Sequence, residues 1–423
     1  MKKLSKNQII KYISIFVLTI FIAGLSNTSI TQAAARYTIS PKSSTYKKNY
    51  KKSDLYNSAT KQYFAIRSYL EQLEKKGGGK LILKKGTYNI CNVLYVPSNV
   101  TIELKDGVTI RKTMKTNKKS LKPSGGIFEL LEPSKSKKKR VHGKYNGVHN
   151  VKIYSTGKAV INQCFKGNNK QNCISIVMCH NQNITIEGIT FKNMKYGHFI
   201  EMDASKNIRI NKCTFTGYKA SKKHISEAIN LDTPDKKTRG FNHDWSKYDC
   251  TPNQNVKITG CVFDKLEKAI GTHQYSIKKY HSNIKISDCT IKNCVSGGIV
   301  LMNWKNTSLN NVKFINIGKN SKGKYTSYNK DTKIRAILVR GGVSKLNIKG
   351  CTFKNVPRVM QCMPWKNDGS AKSYPIIYNS VTVKEYETIA ANNKIISGVD
   401  MPCIIVNTKY NDFNWPAKYY FQV

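Results

Sequence analysis

The chain has 423 residues, with 72 Lys and Arg against 24 Asp and Glu, and a formal net charge of +48. That excess favours polyanionic partners such as acidic polysaccharide or teichoic acid, although a lysine-rich solvated surface gives the same count. No nucleic-acid-reading motif accompanies the charge, so nucleic acid is left out of the expected partners.

The first 35 residues read as a secretory signal peptide. Lys2, Lys3, Lys6 and Lys11 precede an apolar run from Tyr12 to Leu25, and "QAAA" ends at Ala35 with a small-x-small cleavage pattern. The run is too short to span a bilayer comfortably, so no stable membrane insertion is expected after cleavage. The mature chain is expected to begin near Arg36 with a charge of +44, as a secreted monomer associated with an acidic wall by charge. Residues 36–52 are expected to be disordered.

From Ser53 to Lys76, "SDLYNSATKQYFAIRSYLEQLEKK" spaces its apolar residues helically, and "GGG" stops it. Beyond it a motif repeats: "NITIEGITFKN", "NIRINKCTFTG", "NVKITGCVFDK", "NIKISDCTIKN" and "KLNIKGCTFKN". Equivalent positions step by 24 (Ile189 to Cys213), 48 (to Cys261), 28 (to Cys289), 23 (to Val312) and 39 (to Cys351). These are turns of a solenoid, some with loop insertions. Each turn has a second short strand upstream, such as "HFIEMD", "EAINLD" and "KAIGTH", with period-2 alternation and β-branched residues. The expected fold is therefore all-β, a parallel β-helix over 53–369. The helix 53–76 covers its open apolar end, and 370–423, where the repeat is lost, forms the C-terminal cap. Asn at recurring corners fits left-handed bends and side-chain ladders. Cys213, Cys261, Cys289 and Cys351 occupy one motif position, which points to stacked buried thiols rather than bridges.

The stretch "GGGKLILKKGTYNICNVLYVPSNVTIELKDGVTI" (77–110), with glycines, a strand, "KGTY" and then "VPSNVTIEL", resembles the first turn of the pectate-lyase-like superfamily. Together with the repeats the resemblance covers residues 50–365 and implies a right-handed parallel β-helix. That superfamily holds polysaccharide lyases, polygalacturonase-like hydrolases, epimerases and non-catalytic surface proteins, so the resemblance does not select an activity.

The upstream strands align on Ile176, Ile200, Ile229, Ile270, Ile299 and Ile337. One place on stand Val177, Glu201, Asn230, Gly271, Val300 and Leu338, and three places on stand Cys179, Asp203, Asp232, His273, Met302 and Arg340. Two places before stand Ile174, His198, Glu227, Lys268, Gly297 and Arg335. Titratable groups thus crowd three consecutive turns, and stacking about 4.8 Å apart brings them within mutual reach. They form the candidate site. Two loops add further residues: "THQYSIKKYHSN" supplies Tyr275 and His281, and the insertion "TPDKKTRGFNHDWSKYDCTP" supplies Arg239 and Trp245, as stacking and gripping groups for sugars.

Against the polygalacturonase-like pattern the match is partial. The acid of its Asn-Thr-Asp motif falls on His198, and its Asp-Asp pair on Ser226 and Glu227. Its Gly-His-Gly falls on Lys265, Leu266 and Glu267, and its Arg-Ile-Lys on Val300, Leu301 and Met302. One carboxylate of that machinery survives. A glycosidase built from the local pool would use Glu227 as acid and Asp232 or Glu201 as base, with His198 and His273 setting protonation, and Asp203, Asn230 and Lys268 contacting substrate. A lyase acting on a uronate polymer would use His273, Tyr275 and Lys268. A non-catalytic glycan-binding or adhesion protein is the third reading. No metal or other cofactor is expected, since acidic oxygen ligands for calcium are few.

Overall fold

The computed structural model describes residues 34–46, 48–164, 172–219, 226–318, 334–363, 365–367, 374–377 and 380–406, so that positions 1–33 of the expected signal peptide lie outside them. No helix among the described residues is long and apolar enough to cross a membrane.

Three short alternating stretches per turn, separated by residues in the left-handed region, wind the chain into a right-handed parallel β-helix. Among the described residues its principal sheet system links 26 strands, all paired in parallel, and one small antiparallel pair, Trp365–Asn367 with Tyr374–Ile377, stands apart. The first face stacks Ile174–Cys179, Ile200–Asp203, Glu227–Asp232, Lys268–Gly271, Ile299–Met302 and Ile337–Arg340, with Ile176, Ile200, Ile229, Ile270, Ile299 and Ile337 in one register. That is the register expected from the alternation. The second face stacks Lys206–Asn211, Gln254–Thr259, His281–Ser287, Trp304–Asn310 and Ser344–Lys349. The third carries a column of rings in which Phe191, Phe215 and Phe263 stack with centroids 4.9 Å apart.

The corners explain the asparagines. Asn99, Asn150, Asn183, Asn207, Asn255, Asn283 and Asn306 all hold φ between 52° and 59°. Asn99 donates to the Gly77 carbonyl at 3.1 Å, and from Asn150 onward each amide donates to the side-chain oxygen of the Asn one turn earlier, as Asn207 to Asn183 and Asn255 to Asn207, both at 3.0 Å. Asn tolerates the left-handed bend and satisfies its own side chain along the stack. The thiols of Cys213, Cys261, Cys289 and Cys351 are buried and free.

The ends depart from expectation in informative ways. The capping helix is Lys61–Lys75, shorter than 53–76. Asn57 and Thr60 build a turn ahead of it, with Thr60 Oγ1 donating to the Leu55 carbonyl at 2.6 Å and the Ala59 amide donating to Asn57 Oδ1 at 2.9 Å. Its buried face, including Phe64, Ile66, Leu70 and Leu73, packs on the strands of the first turn. The segment expected to be disordered is partly ordered: Arg36–Ile39 pairs in parallel with Lys80–Leu83, because the first turn otherwise exposes an unpaired edge. Lys48–Lys52 forms a 3-10 helix. At the other end, Val383–Ala391 is a helix opened by a Thr382/Glu385 capping box, and Lys394–Val406 pairs in parallel with Thr352–Met363. The ladder thus continues after the sequence repeat has faded. The rest of the expected C-terminal cap, from residue 407, lies outside the described residues.

Candidate functional site

On the first face the strand register places Glu201 beside Asn230 and Asp203 beside Asp232, and sets Glu227 beside Lys268 in the next turn. Gly271 makes this possible. A Cβ there would lie 2.9 Å from Val300 Cβ and 3.1 Å from Glu227 Cγ, so the glycine leaves the space that the Glu227 side chain occupies.

His273 is the hub. Its Nδ1 lies 3.0 Å from Asn230 Oδ1 and 3.5 Å from Glu227 Oε2, and its Nε2 lies 3.3 Å from Asp232 Oδ2. Asn230 is oriented by donating its Nδ2 to Glu201 Oε1 at 2.9 Å, which turns Oδ1 toward the imidazole. Both ring nitrogens therefore face acceptors, the arrangement of an imidazolium. Burial pushes the His273 pKa down, but Asp232 and Glu227 outweigh it and raise the group to about 9. His198 stacks on His273 with centroids 5.6 Å apart, places Nδ1 2.6 Å from the Glu227 carbonyl oxygen, and sets Nε2 3.5 Å from Glu201 Oε2.

The carboxyls differ sharply in state. Glu227 is completely buried, and its desolvation is outweighed by Lys268, 3.2 Å away, and by His273 and His198, which hold it well below the usual carboxylate range. A carboxyl held in its ionised form is the opposite of the raised acid expected of it. Asp232 is also buried and rises to about 6, through desolvation and the nearby Glu201, although His273 and the Gln274 amide oppose the shift. Asp203 rises well above its ordinary value through burial, with Glu201 and Asp232 adding to it, and neither of its oxygens has a hydrogen-bond partner among the described residues. It sits beneath the site rather than facing substrate. The solvent-facing groups are His273, whose side chain is 38% exposed, and Lys268, at 15%. The site thus has a cationic mouth over an anionic floor.

His198, Glu227 and His273 each offer a ligand atom within 4.8 Å of the others, close enough for one divalent ion. To ligate it through Nδ1, His273 would have to give up the proton directed at Asn230 and Glu227.

Three expected substrate contacts are corrected. Tyr275 is fully buried. His281 is also fully buried, accepts from the Asn253 amide at 3.0 Å, and is pushed down to about 3 by burial, so it braces a turn. Trp245 is buried in an apolar cluster with Leu131, Val177, Cys179, Ala204 and Phe241. The long insertion folds back over earlier turns and covers their apolar outer residues, so its aromatics hold the loop down instead of presenting themselves to sugar. Arg239 stands exposed on that loop and takes no part in the hydrogen-bond network of the cluster among the described residues.

Glu129 escaped the sequence reading of the site. It occupies the same outward column, one turn before Val177, accepts from Trp245 Nε1 at 2.5 Å, and lies 2.9 Å from His243 Nδ1. Burial lowers the His243 pKa, but the Glu129 carboxylate beside it outweighs that and raises it. Extending the column back to Phe128 would have revealed it.

No family model matches the sequence. Plasmin and fibronectin-binding protein A of Streptococcus pneumoniae is 26% identical over 245 residues, which cover 53% of this chain and 32% of that protein. The chain thus spans about a third of the length of this curated relative. Two solved structures of PfbA, described as a surface adhesin of the same organism, superpose with TM-scores of 0.57 and 0.55 at 18% and 19% identity. The first covers 77% of this chain and 83% of its own, and the second 85% and 88%. The structural neighbours are parallel β-helix proteins, and the likeness to them is one of fold.

Proposed function

We propose that this is an extracellular carbohydrate-active β-helix protein, of the pectate-lyase-like kind, that cleaves an acidic polysaccharide by glycoside hydrolysis on its first face. The observation that supports it is the cluster centred on His273, an accessible imidazolium held by the buried carboxyls of Glu227 and Asp232. A binding surface alone has no need of three carboxyls in different states within one network.

In this reading His273 donates the proton to the glycosidic oxygen, and Asp232 behind it orients the ring and stabilises its charge. Glu201, oriented by Asn230 and His198, is the base that activates water. Glu227 is the fixed anion that positions His273 and Lys268. The cationic mouth of His273 and Lys268 suits a uronate or sulfated sugar. A lyase is less well supported, because buried Tyr275 is withdrawn from the acid role it would need.

A second reading, adhesion to glycan or protein without turnover, is favoured by the surface adhesin among the relatives and by the net charge of +48. A panel of acidic and neutral glycans, assayed for reducing ends and for ultraviolet absorbance, separates the readings. New reducing ends without absorbance, lost in Glu201→Gln, support hydrolysis. An absorbing product supports a lyase, and binding with unchanged chain length supports adhesion.

A further inference from the structure

Away from the first face, the corner that carries the asparagine ladder opens into a groove of about 730 Å³ along the solenoid. Three cations stand in it in strict register. Arg209 pairs with Lys257, and Lys257 pairs with Lys285, each the outward residue between two inward aliphatics in "NIRIN", "NVKIT" and "NIKIS". All three are exposed, and no ion pair is described for any of them. Among the described residues that line the groove none is acidic. By contrast Lys152, two turns before Arg209 in the same column, is neutralised by Glu187 at 2.9 Å.

Like charges directly opposite on adjacent strands destabilise a sheet. A column of three, about 4.8 Å apart per step, carries that cost with no internal counter-charge. Beside them Asn207, Asn255 and Asn283 run in parallel. Each uses one amide hydrogen in the ladder and keeps a second for an outside acceptor. The surface is thus a rigid comb of alternating cationic and amide donors that repeats once per turn.

We infer that this groove binds a linear acidic polysaccharide lying along the solenoid axis, with its carboxylate or sulfate groups meeting Arg209, Lys257 and Lys285 in successive turns. The spacing of the comb is close to the length of one sugar in an extended chain, so each turn meets one residue of the glycan. Single-stranded nucleic acid is the weaker fit, because it is held by aromatic stacking platforms and no aromatic residue lines the groove. The inference is independent of turnover on the first face, since it concerns a different face of the solenoid and a different readout.

The test uses the full chain and a heparin-derived dodecasaccharide as probe, with the dissociation constant measured from low to moderate salt. Arg209→Ala/Lys257→Ala/Lys285→Ala should weaken binding at least tenfold and reduce the slope of log affinity against log salt by two to three. Lys192→Ala/Lys313→Ala/Lys354→Ala removes the same charge from exposed lysines of the third face and should weaken binding less than threefold. The charge-keeping variant Arg209→Lys/Lys257→Arg/Lys285→Arg should retain the slope. Melting temperatures confirm folding, and that of the groove triple should equal or exceed the parent's as repulsion is relieved. Equal weakening by both alanine triples would reduce the effect to bulk charge and overturn the inference. So would an unaffected groove triple, or an oligothymidylate of equal charge that binds as tightly and is equally sensitive to the groove triple.

Discussion

His273 Nε2 and Asp232 Oδ2 face each other at 3.3 Å, with the His273 and Gln274 amides both donating to Asp232 Oδ1 at 3.2 Å. The backbone that carries the imidazole therefore also fixes the carboxylate beneath it, and the two titrate as a unit. Turnover in the proposed mechanism requires a charged His273, which is lost as pH rises through about 9, and an ionised Asp232, which is lost as pH falls through about 6. A bell-shaped rate profile with limbs near these values is expected, read as properties of the pair. His273→Gln should remove the fall in affinity for an acidic oligosaccharide between pH 8 and about 9.5. An alkaline limb in binding that persists in this variant would assign it to lysines.

Glu227→Gln should lower both activity and stability. Glu227 is fully buried between Lys268 and His273, and replacing it with a neutral amide leaves Lys268 without its counter-charge and His273 with Asp232 alone. Because both partners retain some solvent, the loss should fall at or below the lower end of the ~3–5 kcal/mol typical of a broken buried pair. The depressed pKa fixes the sign: the contribution of Glu227 is present above its ordinary value of 4.5 and is lost as pH falls through the folded value. Variant and parent should therefore converge in denaturant midpoint as pH falls well below 4.5. A constant difference across pH would mean a packing effect.

The columns that unite Glu201 with Asn230 and Asp203 with Asp232 are readable because a parallel β-helix repeats its register and inward isoleucines mark the phase in every turn. Side-chain accessibility is not carried by that phase. Tyr275 and Trp245 lie in irregular loops and His281 stands at the first position of its strand, where alternation stops or has only begun and a ring is as suited to packing as to sugar binding. Only the return of the insertion over Leu131, Val177 and Cys179 decides that Trp245 packs. The charge state of Glu227 was hidden for a related reason. Its neighbour Lys268 could be aligned, but the complete burial that makes their pairing strong depends on Gly271 and on the neighbouring turns together.

Trp245→Ala should cost about 3–5 kcal/mol, as expected for truncating a large buried aromatic, and should free the insertion for proteolysis near Phe241. Arg239→Ala, on the exposed part of the same loop, should leave the melting temperature unchanged. If Arg239 contacts substrate as the sequence suggests, its loss raises KM without lowering kcat. Limited proteolysis and steady-state kinetics on the two variants separate loop anchoring from substrate contact.

Asp203→Asn is expected to stabilise the protein at neutral and alkaline pH and to leave it unchanged in acid. Asp203 is buried, neither oxygen is hydrogen-bonded among the described residues, and Glu201 and Asp232 add negative potential to the desolvation that raises its pKa well above 3.8. A raised carboxyl contributes fully below its unfolded value, and that contribution is lost as pH rises through the folded value. The amide is nearly isosteric, keeps a donor where the acid proton would be, and never ionises, so it carries no such loss. Because the protonated Asp203 is already neutral where Asp232 titrates, the substitution should leave the Asp232 pKa near 6 and the acid limb of the rate profile in place. Melting curves at pH 4 and pH 8, with the rate profile of the same variant, give both readouts. A variant less stable than the parent at pH 8 would show that Asp203 is held as a needed anion and would reverse the assignment of charge in the floor of the site.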